Sequence, residues 1–187
     1  MGVTDRVIVV IGDIVSSRRI ADRVPFDSVL LAAMADLNAR NPNILSPYTL
    51  TIGDEIQAVF GGADFLFRDV ISILAAIHPE KMRFSWGLGV LTKPINPERA
   101  IGMDGPAFHT ARDGIEELKD SGHLFSLSGE GIPNLGLVRE SLFLISHTMT
   151  KWNRTRFQAL AMLQKGLSVK DIASTLELSE QAIYKTI

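Results

Sequence analysis

The chain has 187 residues, room for one medium domain or one domain with a small appendage, and it is 46% hydrophobic and 21% charged. That composition predicts a packed globular protein without long disordered stretches. The complete lack of cysteine excludes disulfides, thiolate zinc sites and cysteine nucleophiles. Residues 1–6 lead into a five-residue apolar run, too short for the core of a secretion signal. No apolar run approaches the roughly 18 residues that suggest a membrane span. These features predict a cytoplasmic protein with no membrane partner. The net charge of −2 is unevenly spread. Residues 150–187 hold six Lys/Arg against three acids, which leaves the preceding 149 residues acidic. A basic tail on an acidic body suits an appendage that meets nucleic acid.

In chain order, residues 7–11 are a continuous β-branched run, the pattern of a strand buried on both faces. It ends at Gly12-Asp13, and Ser16, Ser17, Arg18 and Arg19 follow as a polar loop. Phe26, Val29, Leu30, Ala33, Met34 and Leu37 repeat at helical spacing and predict a helix over 25–39. Asn41-Pro42 and Ser46-Pro47 mark the next loop. Runs at 48–52 and 55–60 flank Gly53-Asp54 and read as a tight β-hairpin. A strongly apolar helix over 63–77 closes at His78-Pro79. Residues 83–91 read as a strand in which Gly87 and Gly89 leave room for a close neighbour. After a loop rich in Pro and Gly come a helix over 107–119 and a short strand over 123–127. Residues 129–136 form a flexible break, and the remainder is helical. The order βαββαβ followed by αβ predicts an α+β, ferredoxin-like sandwich: one mainly antiparallel sheet with helices on one face. The expected division is a body over 1–136 and a helical segment over 137–187.

The chemistry gathers at strand ends. Asp13 follows the first strand, and Asp54 sits at the hairpin tip with Glu55 beside it. A hairpin beside the first strand brings these carboxylates to one edge of the sheet. Two bare carboxylates about 4 Å apart repel by several kcal/mol, so a site that holds them contains a proton, a cation or a basic side chain. Oxygen ligands of this kind select Mg²⁺ or Mn²⁺, with phosphate oxygens completing the shell. The simpler reading is that Asp13 caps a turn and Gly53-Asp54 is ordinary hairpin chemistry.

Three segments are together distinctive: 12–18 (Gly-Asp-Ile-Val-Ser-Ser-Arg), 51–55 (Thr-Ile-Gly-Asp-Glu) and 102–112 (Gly-Met-Asp-Gly-Pro-Ala-Phe-His-Thr-Ala-Arg). Over most of its length the chain resembles the SatD family. The same segments, in the same order, resemble the class III nucleotidyl cyclase domain and the hairpin of diguanylate cyclases. That resemblance implies a nucleotide-cyclase-like body in which Asp13, the Ile14 backbone and Asp54 hold metal ions. It also implies that Glu55, His109, Arg112 and Arg18 lie near a nucleotide or its phosphates. Phe108 stands where the cyclases carry an orienting Asn, and Leu50 where adenylyl cyclases carry a base-recognising Lys. With those groups replaced, the resemblance implies binding of a nucleotide rather than cyclisation. The alternatives are a divalent-metal-dependent enzyme acting on a nucleoside triphosphate, and a non-catalytic interaction scaffold.

In the tail, Phe157, Leu160 and Leu163 predict a helix that ends at Gly166. Ser168 caps a second helix with Asp171 three residues on, packed through Val169, Ile172 and Ala173. Glu177-Leu178 forms a turn in which Leu178 plugs the core, and Ser179 caps a third helix. This stretch, about 155–187, resembles the helix-turn-helix of LuxR-type and sigma-factor region-4 DNA readers. The resemblance implies that Ser179, Glu180, Gln181, Tyr184 and Lys185 meet duplex DNA. It also implies a homodimer, since such readers pair on two half-sites and cyclase-like sites form between subunits.

Overall fold

The computed structural model describes residues 6–51 and 53–187. The five strands are β1 (Val7–Ile14), β2 (Ile44–Leu50), β3 (Glu55–Phe60), β4 (Met82–Gly89) and β5 (Phe125–Gly129). The helices are α1 (Arg23–Arg40), α2 (Leu66–Ile77), α3 (Pro106–Ser121), α4 (Leu135–Met149), α5 (Arg154–Gln164), α6 (Val169–Thr175) and α7 (Glu180–Thr186). All strands join one sheet in the order β2-β3-β1-β4-β5. Pairing is antiparallel except between β4 and β5, which run parallel with α3 as the crossover. Among the described residues no helix is long and apolar enough to cross a membrane.

Both faces of the sheet are covered, which corrects the expectation of helices on one face. The reason lies in the alternation of β1. Ile8, Val10 and Ile14 join the larger core with α1 and α2, whereas Val7, Val9 and Ile11 join a second cluster with Ala107, Ala111, Ile115 and Leu118 of α3. A strand apolar on both faces needs cover on both. Helix α3 approaches closely because β4 presents Gly87 and Gly89. A Cβ on Gly87 would lie 2.2 Å from the Ala107 carbonyl oxygen and 2.6 Å from the Ala111 nitrogen. The neighbour that these glycines anticipate is thus α3.

Three further boundaries differ from expectation. Strand β1 does not end at Gly12-Asp13 but runs through them to Ile14, so Asp13 lies within the strand. Strand β2 begins at Ile44 and runs through Ser46-Pro47, with its register shifting between Ile44 and Thr49. Pro47 is tolerated because β2 is an edge strand, where a missing donor and a bulge cost little. Thr51 lies beyond the strand, and Ile52, at the end of the expected run, falls outside the described residues. Helices α4 and α5 are not separate from the body. Leu142, Met149, Phe157 and Ala161 belong to the body's larger core, and Ser146 Oγ accepts a 2.7 Å hydrogen bond from the Leu124 amide.

The last helices close on a small core of Ala159, Ile172, Ala173 and Ile183, flanked by Met162, Leu163, Leu167, Val169 and Leu176. Ser168 and Ser179 cap α6 and α7 by accepting from the Asp171 and Ala182 amides. Leu178 does not plug this core. It is 41% exposed, and Leu176 packs inward instead. Glu177 adopts a left-handed conformation (φ 55°), and this turns the chain so that the next side chain points outward.

Candidate functional site

The sheet's alternation decides what meets at the end of β1. Asp13 pairs in register with Glu55 on β3 and with Arg83 on β4, so all three side chains project from the face that carries α3. Asp54 precedes β3, and its carbonyl accepts the Ile14 amide at 3.1 Å, which brings the two aspartates to the same end. Ser17, in the short turn after β1, donates to the Asp54 carboxylate. Arg83 donates to Asp13 at 2.9 Å, and these side chains are only 15% and 11% exposed. Burial raises the Asp13 carboxyl above the usual range, while the Lys119 ammonium and the Arg83 guanidinium pull it back.

Glu55 is the shared wall between this ion pair and a pocket. Helix α3 covers β1, β4 and β5, so the same face of β3 and β2 is left to the loop before α3. Thr49 accepts from the Ala100 amide at 2.9 Å and Ser46 donates to the Asn96 carbonyl, and both bonds tie that loop to β2. Between loop, strand and helix lies a cavity of about 440 Å³ lined by Thr51, Glu55, Gln57, residues 101–104, Phe108, His109 and Arg112. Arg112 grips Glu55 through two 3.3 Å contacts, and Gln57 donates to Glu55 at 2.6 Å. Asp104 accepts from the Gly105 amide at 2.8 Å and lies 2.9 Å from His109 Nε2; the amide bond first, then the histidine, lower its pKa. Gly105 (φ 143°) makes the turn into α3, where a Cβ would fall 2.7 Å from the Thr92 nitrogen. The pocket therefore pairs an apolar floor of Met103 and Phe108 with amide, carboxylate, imidazole and guanidinium groups on its walls.

Of the residues singled out in the sequence, Glu55, His109 and Arg112 line this pocket; Asp13 pairs in register with Glu55, and Asp54 lies at the same end of the sheet bonded to Ser17. Arg18 does not line it and lies exposed on the turn after β1. Leu50 packs against the larger core on the opposite face. Arg83, Lys119 and Gln57 lie outside the three distinctive segments, whereas Asp104 lies in the third of them. Arg83 was legible from the alternation of Met82, Phe84 and Trp86 with Arg83, Ser85 and Gly87, which gives β4 one polar face.

A divalent ion between Asp13 and Asp54, as the cyclase resemblance implies, does not fit the side chains as they stand. Asp13 is already neutralised by a nearly buried guanidinium, Lys119 adds a second positive charge, and one Asp54 oxygen is taken by Ser17. Among the described residues no three His, Cys, Asp or Glu side chains gather to hold a metal ion.

On the tail, Ser179, Glu180, Gln181, Tyr184 and Lys185 are all exposed. Lys185 and Thr186 share a polar cavity of about 270 Å³ with Lys151, Trp152, Asn153 and Arg156. Arg156 donates to the Thr186 carbonyl and lies 5.8 Å from the centre of the Trp152 ring.

The fold and the site define an α+β protein with a pocket of apolar floor and charged walls beside a built-in ion-pair network. The SatD family matches over residues 7–187, and the chain belongs to that family. Among solved structures, it is similar to a bacterial light-regulated adenylyl cyclase, with 14% identity and a TM-score of 0.42 over 66% of this chain and 75% of that one. It is also similar to another structure of a bacterial light-regulated adenylyl cyclase, with 15% identity and a TM-score of 0.40 over 66% of this chain and 43% of that one. Comparison with curated proteins gives no match.

Proposed function

We propose that the body of this protein binds a nucleotide, with the base in the cavity between β3 and α3 and the phosphates toward Arg112 and Lys119. The observation that carries this reading is the convergence of Glu55, Gln57, Asp104, His109 and Arg112 around an apolar floor. A planar base needs a flat apolar surface and a few hydrogen-bonding edges. Phe108 and Met103 offer the first, and Gln57, Thr51 and Glu55 the second. The groups that orient a triphosphate for cyclisation are replaced by Phe108 and Leu50, so the role is sensing rather than turnover. Thermal unfolding in the presence of the four ribonucleoside triphosphates tests it. A nucleotide at 100 times its dissociation constant adds about 2.7 kcal/mol of stability and raises the midpoint. A midpoint unmoved by all four at millimolar concentration contradicts the reading.

A second reading, that α5–α7 form a helix-turn-helix that reads duplex DNA, has its own support. Glu180, Gln181, Tyr184 and Lys185 share the outer face of α7, and Lys151, Arg156 and Lys185 gather around one cavity. The two readings combine in a nucleotide-responsive regulator. Few phosphates are neutralised by so modest a positive charge, so log affinity should fall with log salt at a slope of about −3 to −5 per subunit. Lys185→Ala is expected to flatten that slope by about one unit and to weaken all sequences alike. Gln181→Ala is expected to reduce discrimination between sites. Fluorescence anisotropy with duplex DNA measures all three. No binding in low salt by a folded tail removes the DNA reading.

A further inference from the structure

At the end of β1 the positive charge belongs to the chain. Every carboxylate there already has a donor: Arg83 on Asp13, Arg112 on Glu55 and Ser17 on Asp54. Arg83 enters from β4 directly opposite Asp13 in the register, and its side chain is 15% exposed. A metal ion ligated by Asp13 would have to displace this guanidinium from a nearly enclosed position, or bind against its charge. Lys119, paired with Glu116 at 2.8 Å on its own helix, has a 43% exposed side chain, and Arg112, paired with Glu55, a 54% exposed one. These two cations keep free surface for an incoming anion, whereas Arg83 does not.

We propose that Arg83 is the resident cation of this site, so that the Asp13–Asp54 end binds no divalent metal, and that a ligand phosphate is met directly by Arg112 and Lys119. The phosphate part rests on the nucleotide reading above; the metal part does not.

Titration of the full chain with Mn²⁺, followed by the electron paramagnetic resonance signal of the free ion, tests the metal part. The wild type is expected to take up no stoichiometric Mn²⁺ at millimolar concentration. Arg83→Gln removes the charge and keeps a donor beside Asp13, and it is expected to gain one Mn²⁺ site at least tenfold tighter than any in the wild type. Adding Asp54→Asn should abolish that gain. Arg83→Met serves as the second variant if the glutamine variant does not fold. One Mn²⁺ bound by the wild type and lost in Asp13→Asn overturns the proposal, as does a folded Arg83 variant that gains no ion. For the phosphate part, ATP and GTP are titrated in excess EDTA and in Mg²⁺, with affinities expected to agree within about threefold. A tenfold loss in EDTA overturns direct phosphate recognition while leaving nucleotide binding intact. Failure of both nucleotides in both media overturns the nucleotide reading and the phosphate part together, and the Mn²⁺ titration still decides on Arg83.

Discussion

Gly87→Ala is expected to destabilise the protein by about 3 kcal/mol or more, and Gly87→Val to leave no folded protein at all. The added Cβ meets the backbone of α3, at 2.2 Å from the Ala107 oxygen and 2.6 Å from the Ala111 nitrogen. Backbone atoms of a packed helix cannot swing aside as the tip of a long side chain can. Helix α3 would have to lift as a body and lose the contacts of Ala107, Ala111, Ile115 and Leu118 with Val7, Val9 and Ile11. A domain with a net stability of about 5–15 kcal/mol has little margin for that. Gly61→Ala is the control, since a Cβ there meets only Leu45 at 3.5–3.7 Å and is expected to change stability by no more than about 0.5 kcal/mol. Urea denaturation compares them. Equal midpoints for the two alanine variants would mean that α3 does not rest on β4 through Gly87.

Arg83→Leu is expected to cost about 3–5 kcal/mol, because it leaves the Asp13 carboxylate almost enclosed and without its partner. The double variant Asp13→Leu/Arg83→Leu is expected to recover most of that loss, since no charge is then stranded. The pH dependence follows from the direction of the Asp13 shift. Burial raises this carboxyl, and Lys119 and Arg83 both oppose the rise. Removing Arg83 therefore lifts the folded-state pKa further above the unfolded value. A folded state that holds its proton more tightly loses stability as pH climbs from the unfolded pKa through the folded one. Arg83→Leu should accordingly lose more stability near pH 7 than near pH 4. A cost below about 1 kcal/mol at neutral pH would mark the pair as an ordinary surface contact.

The strands and helices of the body were legible because their signals are local. The β-branched run of β1, the Gly61-Gly62 pair that ends β3, and the 3.6-residue spacing of α1 each need only a short window. The placing of Asp13 and Asp54 at one end of the sheet was legible for the same reason, as each follows a glycine beside a strand end. The face taken by α3 was not. Its inner surface mixes the small residues Ala107, Ala111 and Gly114 with Ile115 and Leu118, and nothing in that pattern says which side of the sheet it meets. The demand came from β1, whose two apolar faces required cover on both sides. Arg83 stood outside every motif and was visible only through strand alternation. Leu176 and Leu178 are equally apolar, and the left-handed turn at Glu177 decides which one packs inward.

On the nucleotide reading, the cavity between β3 and α3 holds its ligand through Arg112. Titration calorimetry of ATP and GTP into the wild type and Arg112→Ala tests it most directly. Arg112 is half exposed, so its removal costs little stability and a change in binding is not a change in folding. Measurable binding of at least one of the two to the wild type is expected, with at least a tenfold loss in Arg112→Ala, about 1.4 kcal/mol or more, at an unchanged unfolding midpoint. Equal affinity in the two proteins, or no binding to the wild type, would contradict it.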